Sequence, residues 1–149
     1  TTFEDSDSRI DITLNGTNFI KNDQTRDITN PDEITDVLGT FTRPEWIVNM
    51  NFDYTLGDFV VGWRGRYESS QLLPGIGNED LVSNPDFVDI SSTGASIVHD
   101  LSLSYSASEN LEVYGGINNL LEEEPFLGTL SRPAGPRGRF LFLGLNYSM

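Results

Sequence analysis

The sequence predicts an all-β chain: an antiparallel up-and-down meander of about six strands that forms part of a larger transmembrane β-barrel. Three observations carry that expectation. Apolar and polar residues alternate with a period of two over stretches of about ten residues, the length a tilted strand needs to cross a bilayer. The links between these stretches alternate strictly between short and long. The last alternating stretch runs to the final residue, Met149.

The first strand is expected from about Arg9 to Phe19, where Ile10, Ile12 and Leu14 alternate with Asp11, Thr13 and Asn15. The clearest pattern follows from Trp46 to Leu56. Trp46, Val48, Met50, Phe52, Tyr54 and Leu56 fall on one face, and Ile47, Asn49, Asn51, Asp53 and Thr55 on the other. Gly57 and Asp58 read as a tight turn into a partner strand, where Phe59, Val61, Trp63, Gly65 and Tyr67 oppose Val60, Gly62, Arg64, Arg66 and Glu68.

A second hairpin obeys the same rule. Ile97, Leu101, Leu103 and Tyr105 share a face opposite Asp100, Ser102 and Ser104, and Ser106 to Asn110 read as the turn. Its return strand sets Leu111, Val113, Gly115 and Ile117 against Glu112, Tyr114, Gly116 and Asn118. The closing strand sets Leu141, Leu143, Leu145, Tyr147 and Met149 against Phe140, Phe142, Gly144, Asn146 and Ser148.

The turns after Leu56 and Tyr105 are a few residues long, whereas the links near Ile20 to Arg43, Ser69 to Ala95 and Asn119 to Pro136 are long and rich in Gly, Pro, Asn and Asp. In a meander this puts every short turn at one end and every long loop at the other, as in outer-membrane barrels. With the chain end on the periplasmic side, Tyr54, Tyr105 and Tyr147 fall near the periplasmic strand ends, and Trp46 and Tyr67 near the opposite ends. Two interfacial aromatic girdles are therefore expected, in preference to the alternative that aromatics are merely common in strands.

Composition excludes several classes. The 149 residues are only 37% hydrophobic, low for a domain that fills its own core. Acidic residues outnumber basic ones by 23 to 9, a formal charge of −14, so a nucleic-acid partner is not expected. With no cysteine there is neither a disulfide nor a thiolate zinc site. No stretch reaches the roughly 18 apolar residues of a spanning helix, and the acidic start TTFEDSDSR is unlike a signal peptide, so any secretion signal is expected to be removed or to lie outside these residues.

A soluble β-sandwich shows the same alternation with its apolar faces turned inward. The segregated loops and terminal aromatics favour the barrel. An open sheet cannot stand in hydrocarbon with unpaired edges, so further strands are expected to complete it.

The residues from Tyr114 onward carry a family resemblance. The runs YGGINNLLEEEPF and GPRGRFLFLGLNYSM resemble the last hairpin of TonB-dependent outer-membrane receptors, in which a strand ends in Asn-Leu, an acidic stretch and a proline follow, and Gly-Arg precedes the closing strand. The matching residues are Asn118, Asn119, Leu120, Pro125, Gly138, Arg139, Gly144 and Tyr147. The upstream run RPEWIVNMNFDYTLGDFVVGWRGRY is similar to the family's preceding hairpin. This resemblance implies that residues 1–149 are the C-terminal portion of a barrel of about 22 strands around an N-terminal plug.

It implies further that the whole protein imports a scarce nutrient, such as an iron–siderophore, cobalamin or a carbohydrate, across the Gram-negative outer membrane. The implied partners are the remaining strands and plug, outer-membrane lipid and lipopolysaccharide, the TonB complex, and the barrel-assembly machinery. The TonB box and plug fall outside these residues. Gly144, Leu145, Tyr147 and Met149 resemble the family's assembly signal, which usually ends in an aromatic residue where this chain has Met149.

Site chemistry is sparse. His99 adjoins Asp100 on a strand, where neighbours point to opposite faces, so a Ser-His-Asp relay is not expected and His99 reads as an interfacial residue. Asp27, Asn30, Asp32, Glu33 and Asp36 crowd the first long link and Glu122, Glu123 and Glu124 the last, without ordered calcium-ligand spacing, so no metal site is expected. Gly75 to Gly77 is too short for a nucleotide loop.

Arg64, Arg66 and Glu68 share one polar face, and with Asn49 and Asn51 they are the candidate ligand or lumen residues. Arg64 and Arg66 suit plug carboxylates or an anionic substrate, structural pairing being the commoner outcome. Arg137 and Arg139 open the final strand. No cofactor and no enzymatic activity are expected. The rival readings are a soluble secreted β-sandwich that binds sugar or calcium, and a smaller outer-membrane barrel. Solubility without detergent and the strand count of the closed barrel discriminate among the three.

Overall fold

The structure is a computed structural model that describes residues 2–5, 8–25, 29–72, 92–125 and 138–149. It contains β1 (Thr2–Asp5), β2 (Ser8–Asn18), β3 (Asp23–Thr25), β4 (Ile34–Asp36), β5 (Trp46–Leu56), β6 (Phe59–Glu68), β7 (Ser96–Ser108), β8 (Leu111–Asn118) and β9 (Phe140–Tyr147), with no helix among the described residues. The period-two alternation has been obeyed: each stretch whose apolar residues fall two apart is a strand.

Seven strands form one sheet in the order β1-β2-β5-β6-β7-β8-β9, and β3 and β4 form a separate pair. The six long strands are the expected antiparallel meander. To them the structure adds β1, which pairs with the start of β2 through Phe3↔Ile10 and Glu4↔Arg9. The first long link, read from sequence as irregular, also contains the hairpin β3–β4. Strand β7 runs on to Ser108, past the expected turn start at Ser106, because a register shift between Ser106 and Ser108 absorbs a residue.

Registers confirm that each face is continuous across strands. Leu101 pairs with Ile117, Leu103 with Gly115 and Tyr105 with Val113; Ile117 then pairs with Leu141, Gly115 with Leu143 and Val113 with Leu145. The opposite face carries Ser102, Gly116 and Phe142 in one row and Ser104, Tyr114 and Gly144 in the next.

This sheet has no second layer among the described residues. Val37 is their only buried apolar side chain, whereas Leu141, Leu143 and Leu145 are 77%, 81% and 67% exposed. A soluble sandwich would hide such residues against a facing sheet.

The chain divides into two compact units. The first comprises Thr1–Asn15, Val48–Arg66 and Ile97–Met149; the second comprises Gly16–Ile47 and Tyr67–Ser96, the segments that connect β2 to β5 and β6 to β7. Within the second unit, Leu72 makes bridges to Thr40 and Ser92. The Gln71 side chain, 9% exposed, accepts the Thr42 backbone N–H at 2.6 Å.

Candidate functional site

The polar face of the first unit holds the richest chemistry. On β5 and β6 the Arg64 guanidinium donates through Nη1 to Asp53 Oδ1 at 2.7 Å. The two meet because Asp53 and Arg64 fall on the same side of adjacent strands, and Gly62 beside them has no side chain to hold them apart. A Cβ at Gly62 would sit 2.5 Å from Ser102 Oγ and 2.8 Å from Asp53 Oδ1. Ser102 of β7 closes the cluster by donating its hydroxyl to the Gly62 carbonyl at 3.3 Å. Side-chain exposures of 46% for Arg64 and 31% for Asp53 leave both open to a ligand.

Next to this cluster the same face becomes aromatic. Phe142 is the direct partner of Gly116 and Tyr114 that of Gly144. A Cβ at Gly116 would lie 2.7 Å from Phe142 Cζ, and one at Gly144 would collide with the Tyr114 ring. Each ring therefore lies over the glycine opposite, an arrangement that covers backbone which glycine leaves bare. At the end of these strands Asn146 donates to Glu112 at 3.0 Å.

Of the expected ligand residues, Arg64 is thus brought against Asp53, with Ser102 bonded to the Gly62 carbonyl beside them. Arg66 and Glu68 are each engaged by a neighbour rather than free. Asn49 and Asn51 are half-buried along β5. Alternation places Asp53 and Ser102 on the polar face, Ser102 among the residues expected to line the interior, but only register brings the two together at Gly62.

The apolar face carries the expected aromatics. Tyr105 stacks on Phe59, with centroids 4.5 Å apart and planes at 24°. Tyr147 pairs with Leu111. Trp63 bends over Gly65, whose Cβ would meet its Cη2 at 2.7 Å and Met50 Cε at 3.1 Å. His99 lies against Trp63 at 5.6 Å. Its neighbour Asp100 instead accepts the Asn119 N–H at 2.8 Å, so no relay joins His99 to Asp100. Tyr54, in the first unit, is half-buried; in the second unit Trp46 is half-exposed and accepts the Ser69 N–H on its carbonyl, while Tyr67 is half-buried.

The chain leaves β8 through a built corner. Asn119 is 3% exposed and adopts φ +52. Its amide donates to Glu123 O and its Oδ1 accepts Glu123 N–H, both at 2.8 Å. Arg139 reaches Glu122 at 3.1 Å. Asp27, Gly75, Gly77 and Arg137 lie outside the described residues.

In the second unit, Asp36 accepts the backbone N–H of Leu38 at 3.0 Å and of Asn22 at 3.1 Å. These bonds hold its carboxyl below the ordinary 3.8. Asp23 lies 2.6 Å from Lys21 and raises the lysine's pKa.

Comparison with known proteins gives one result. Residues 4–120, well over half the chain, match the family model described as TonB dependent receptor-like, beta-barrel. The matched stretch runs from within β1 through β8 to Leu120. No curated protein and no solved structure matches.

Proposed function

Because the chain belongs to the TonB-dependent receptor-like β-barrel family, whose members are outer-membrane transporters rather than enzymes, we propose that residues 1–149 form the C-terminal part of the barrel of an active nutrient importer. One observation carries this reading. The long sheet exposes a continuous apolar face through Leu101, Leu103, Leu143 and Leu145 with no protein layer over it among the described residues. Acyl chains are the solvent that such a face fits.

In this arrangement Asn49, Asn51, Asp53, Arg64 and Ser102 line the lumen. Arg66 and Glu68 continue that wall. Trp46, Tyr54, Tyr67, Tyr105 and Tyr147 anchor the strands at the two interfaces, where amphipathic rings are favoured. Gly144, Leu145, Tyr147 and Met149 present the strand read by the assembly machinery. Strands beyond β1 and β9 complete the hydrogen bonding that hydrocarbon requires. The plug and its TonB box supply the coupling, and lipopolysaccharide meets the outer rim.

Residues 1–149 hold no cysteine, so once any cysteine elsewhere in the receptor is replaced by serine, each label has a single site. Single cysteines replace Leu143, Leu101, Ser102 or Asn51 in the intact receptor, and each is given a bimane fluorophore. Spin-labelled lipid is expected to quench positions 143 and 101, and aqueous iodide positions 102 and 51. The reverse pattern, or iodide quenching at all four, rejects the orientation.

A further inference from the structure

The polar face sets two kinds of group in adjoining rows, and together they specify a substrate class. The first is the Asp53–Arg64 pair over Gly62, closed by Ser102. The second is the pair of rings, Phe142 over Gly116 and Tyr114 over Gly144. Ser102 links them, because its direct partner on β8 is Gly116 and the partner of Gly116 on β9 is Phe142. Gly62 and Gly116 are two strands apart, a separation of about 10 Å.

We propose that this face binds a neutral sugar chain, one ring packed on Phe142 and Tyr114 and the next held by Asp53, Arg64 and Ser102. The inference rests on the reading that this face lines the lumen. Charge argues first. An isolated arginine on the wall would select an anion, but Arg64 already carries its counter-ion at 2.7 Å, so an incoming anion meets the Asp53 carboxylate and an incoming cation meets the guanidinium.

What the pair still offers is hydrogen bonding. Arg64 keeps Nη2 and Nε as donors, and Asp53 keeps Oδ2 as an acceptor, with no partners for these atoms among the described residues. A fixed donor beside a fixed acceptor matches vicinal hydroxyls, each of which donates and accepts. The rings supply the other half. A pyranose has one face made of C–H groups, which packs on an aromatic ring, and ligand sites join such apolar contact to a few placed polar groups. A separation of about 10 Å between the two halves is the span of a disaccharide, so both are engaged by one chain of two or more sugar units.

The test uses the complete receptor purified in detergent, with maltotriose, cellotriose and xylotriose as neutral probes and a ferric tricatecholate as the anionic one, read by titration calorimetry. At least one trisaccharide is expected to bind. Its affinity should fall roughly tenfold or more in the double variant Asp53→Ala/Arg64→Ala, and likewise in Phe142→Ala, while Phe142→Trp retains it. Each variant is first checked for the heat-modifiable band of a folded barrel; Phe142→Leu replaces Phe142→Ala if the latter does not assemble.

Failure of all three sugars to bind overturns the inference. So does binding that is indifferent to both sites, or binding of the ferric tricatecholate that depends on Arg64. The bimane label at position 102 separates the two levels of failure. Quenching by lipid there rejects the lumen reading itself, whereas quenching by iodide with no sugar binding rejects the substrate class alone.

Discussion

Tyr114 of β8 and Gly144 of β9 are direct cross-strand partners, and the phenol ring occupies the space that any larger residue at 144 would need. Gly144→Val should therefore cost about 1–3 kcal/mol through overpacking. The loss should be largely relieved by adding Tyr114→Ala, which vacates that space. Urea titration of the heat-modifiable folded band, run as a double-mutant cycle, reads the coupling. Additive losses would mean that position 144 needs glycine for its backbone alone.

Asn119 combines burial, a left-handed backbone and a reciprocal pair of hydrogen bonds to Glu123. Asn119→Ala gives up both bonds and strains the backbone, for an expected loss of about 2–3 kcal/mol. Asn119→Gly restores the conformational freedom but not the bonds, so it should fall between alanine and the parent. Protease cleavage within residues 120–125 is the readout. Equal protection in all three proteins would remove Asn119 as the organiser of this corner.

The hairpin β3–β4 should open in acid. Asp36 has its folded pKa below the ordinary 3.8 because Leu38 and Asn22 N–H groups bond its carboxylate. A depressed folded pKa contributes stability above the unfolded value, and that contribution is lost as pH falls through the folded one. Hydrogen exchange at the Leu38 and Asn22 amides, corrected for intrinsic rate, is thus expected to accelerate below pH 3.8. In Asp36→Asn it should be faster at neutral pH and flat across the same range. A parent profile that stays flat through this range rejects the idea.

The long strands were legible because each face has a uniform character: nothing but alternation is needed to see that Leu141, Leu143 and Leu145 share a side. Short strands escaped. Neither Asp-Gln-Thr of β3 nor Ile-Thr-Asp of β4 is long enough to alternate, and all six residues are exposed. Ser106 to Ser108 reads as a turn by composition, yet a bulge keeps it in the ladder.

The polar face illustrates the deeper limit. Sequence identified Arg64 as a lumen candidate but not its closure with Asp53 and Ser102 around Gly62, since those contacts depend on how three strands are staggered. For the same reason the glycines at 116 and 144 carried no signal until Phe142 and Tyr114 were found above them. Asn119 was flagged by family resemblance, while its physical role as a left-handed corner became visible only in the backbone.

The near absence of a hydrophobic centre reaches into thermodynamics. Proteins that bury a core release a large positive heat capacity when they unfold in water, because apolar surface becomes hydrated. Here Val37 is the only buried apolar side chain among the described residues, so the sheet folded in water would hide little hydrocarbon and show a muted calorimetric signature. In the proposed orientation its chief gain would come from exchanging water for lipid along one side, which would tie completion of the ladder to insertion into the bilayer.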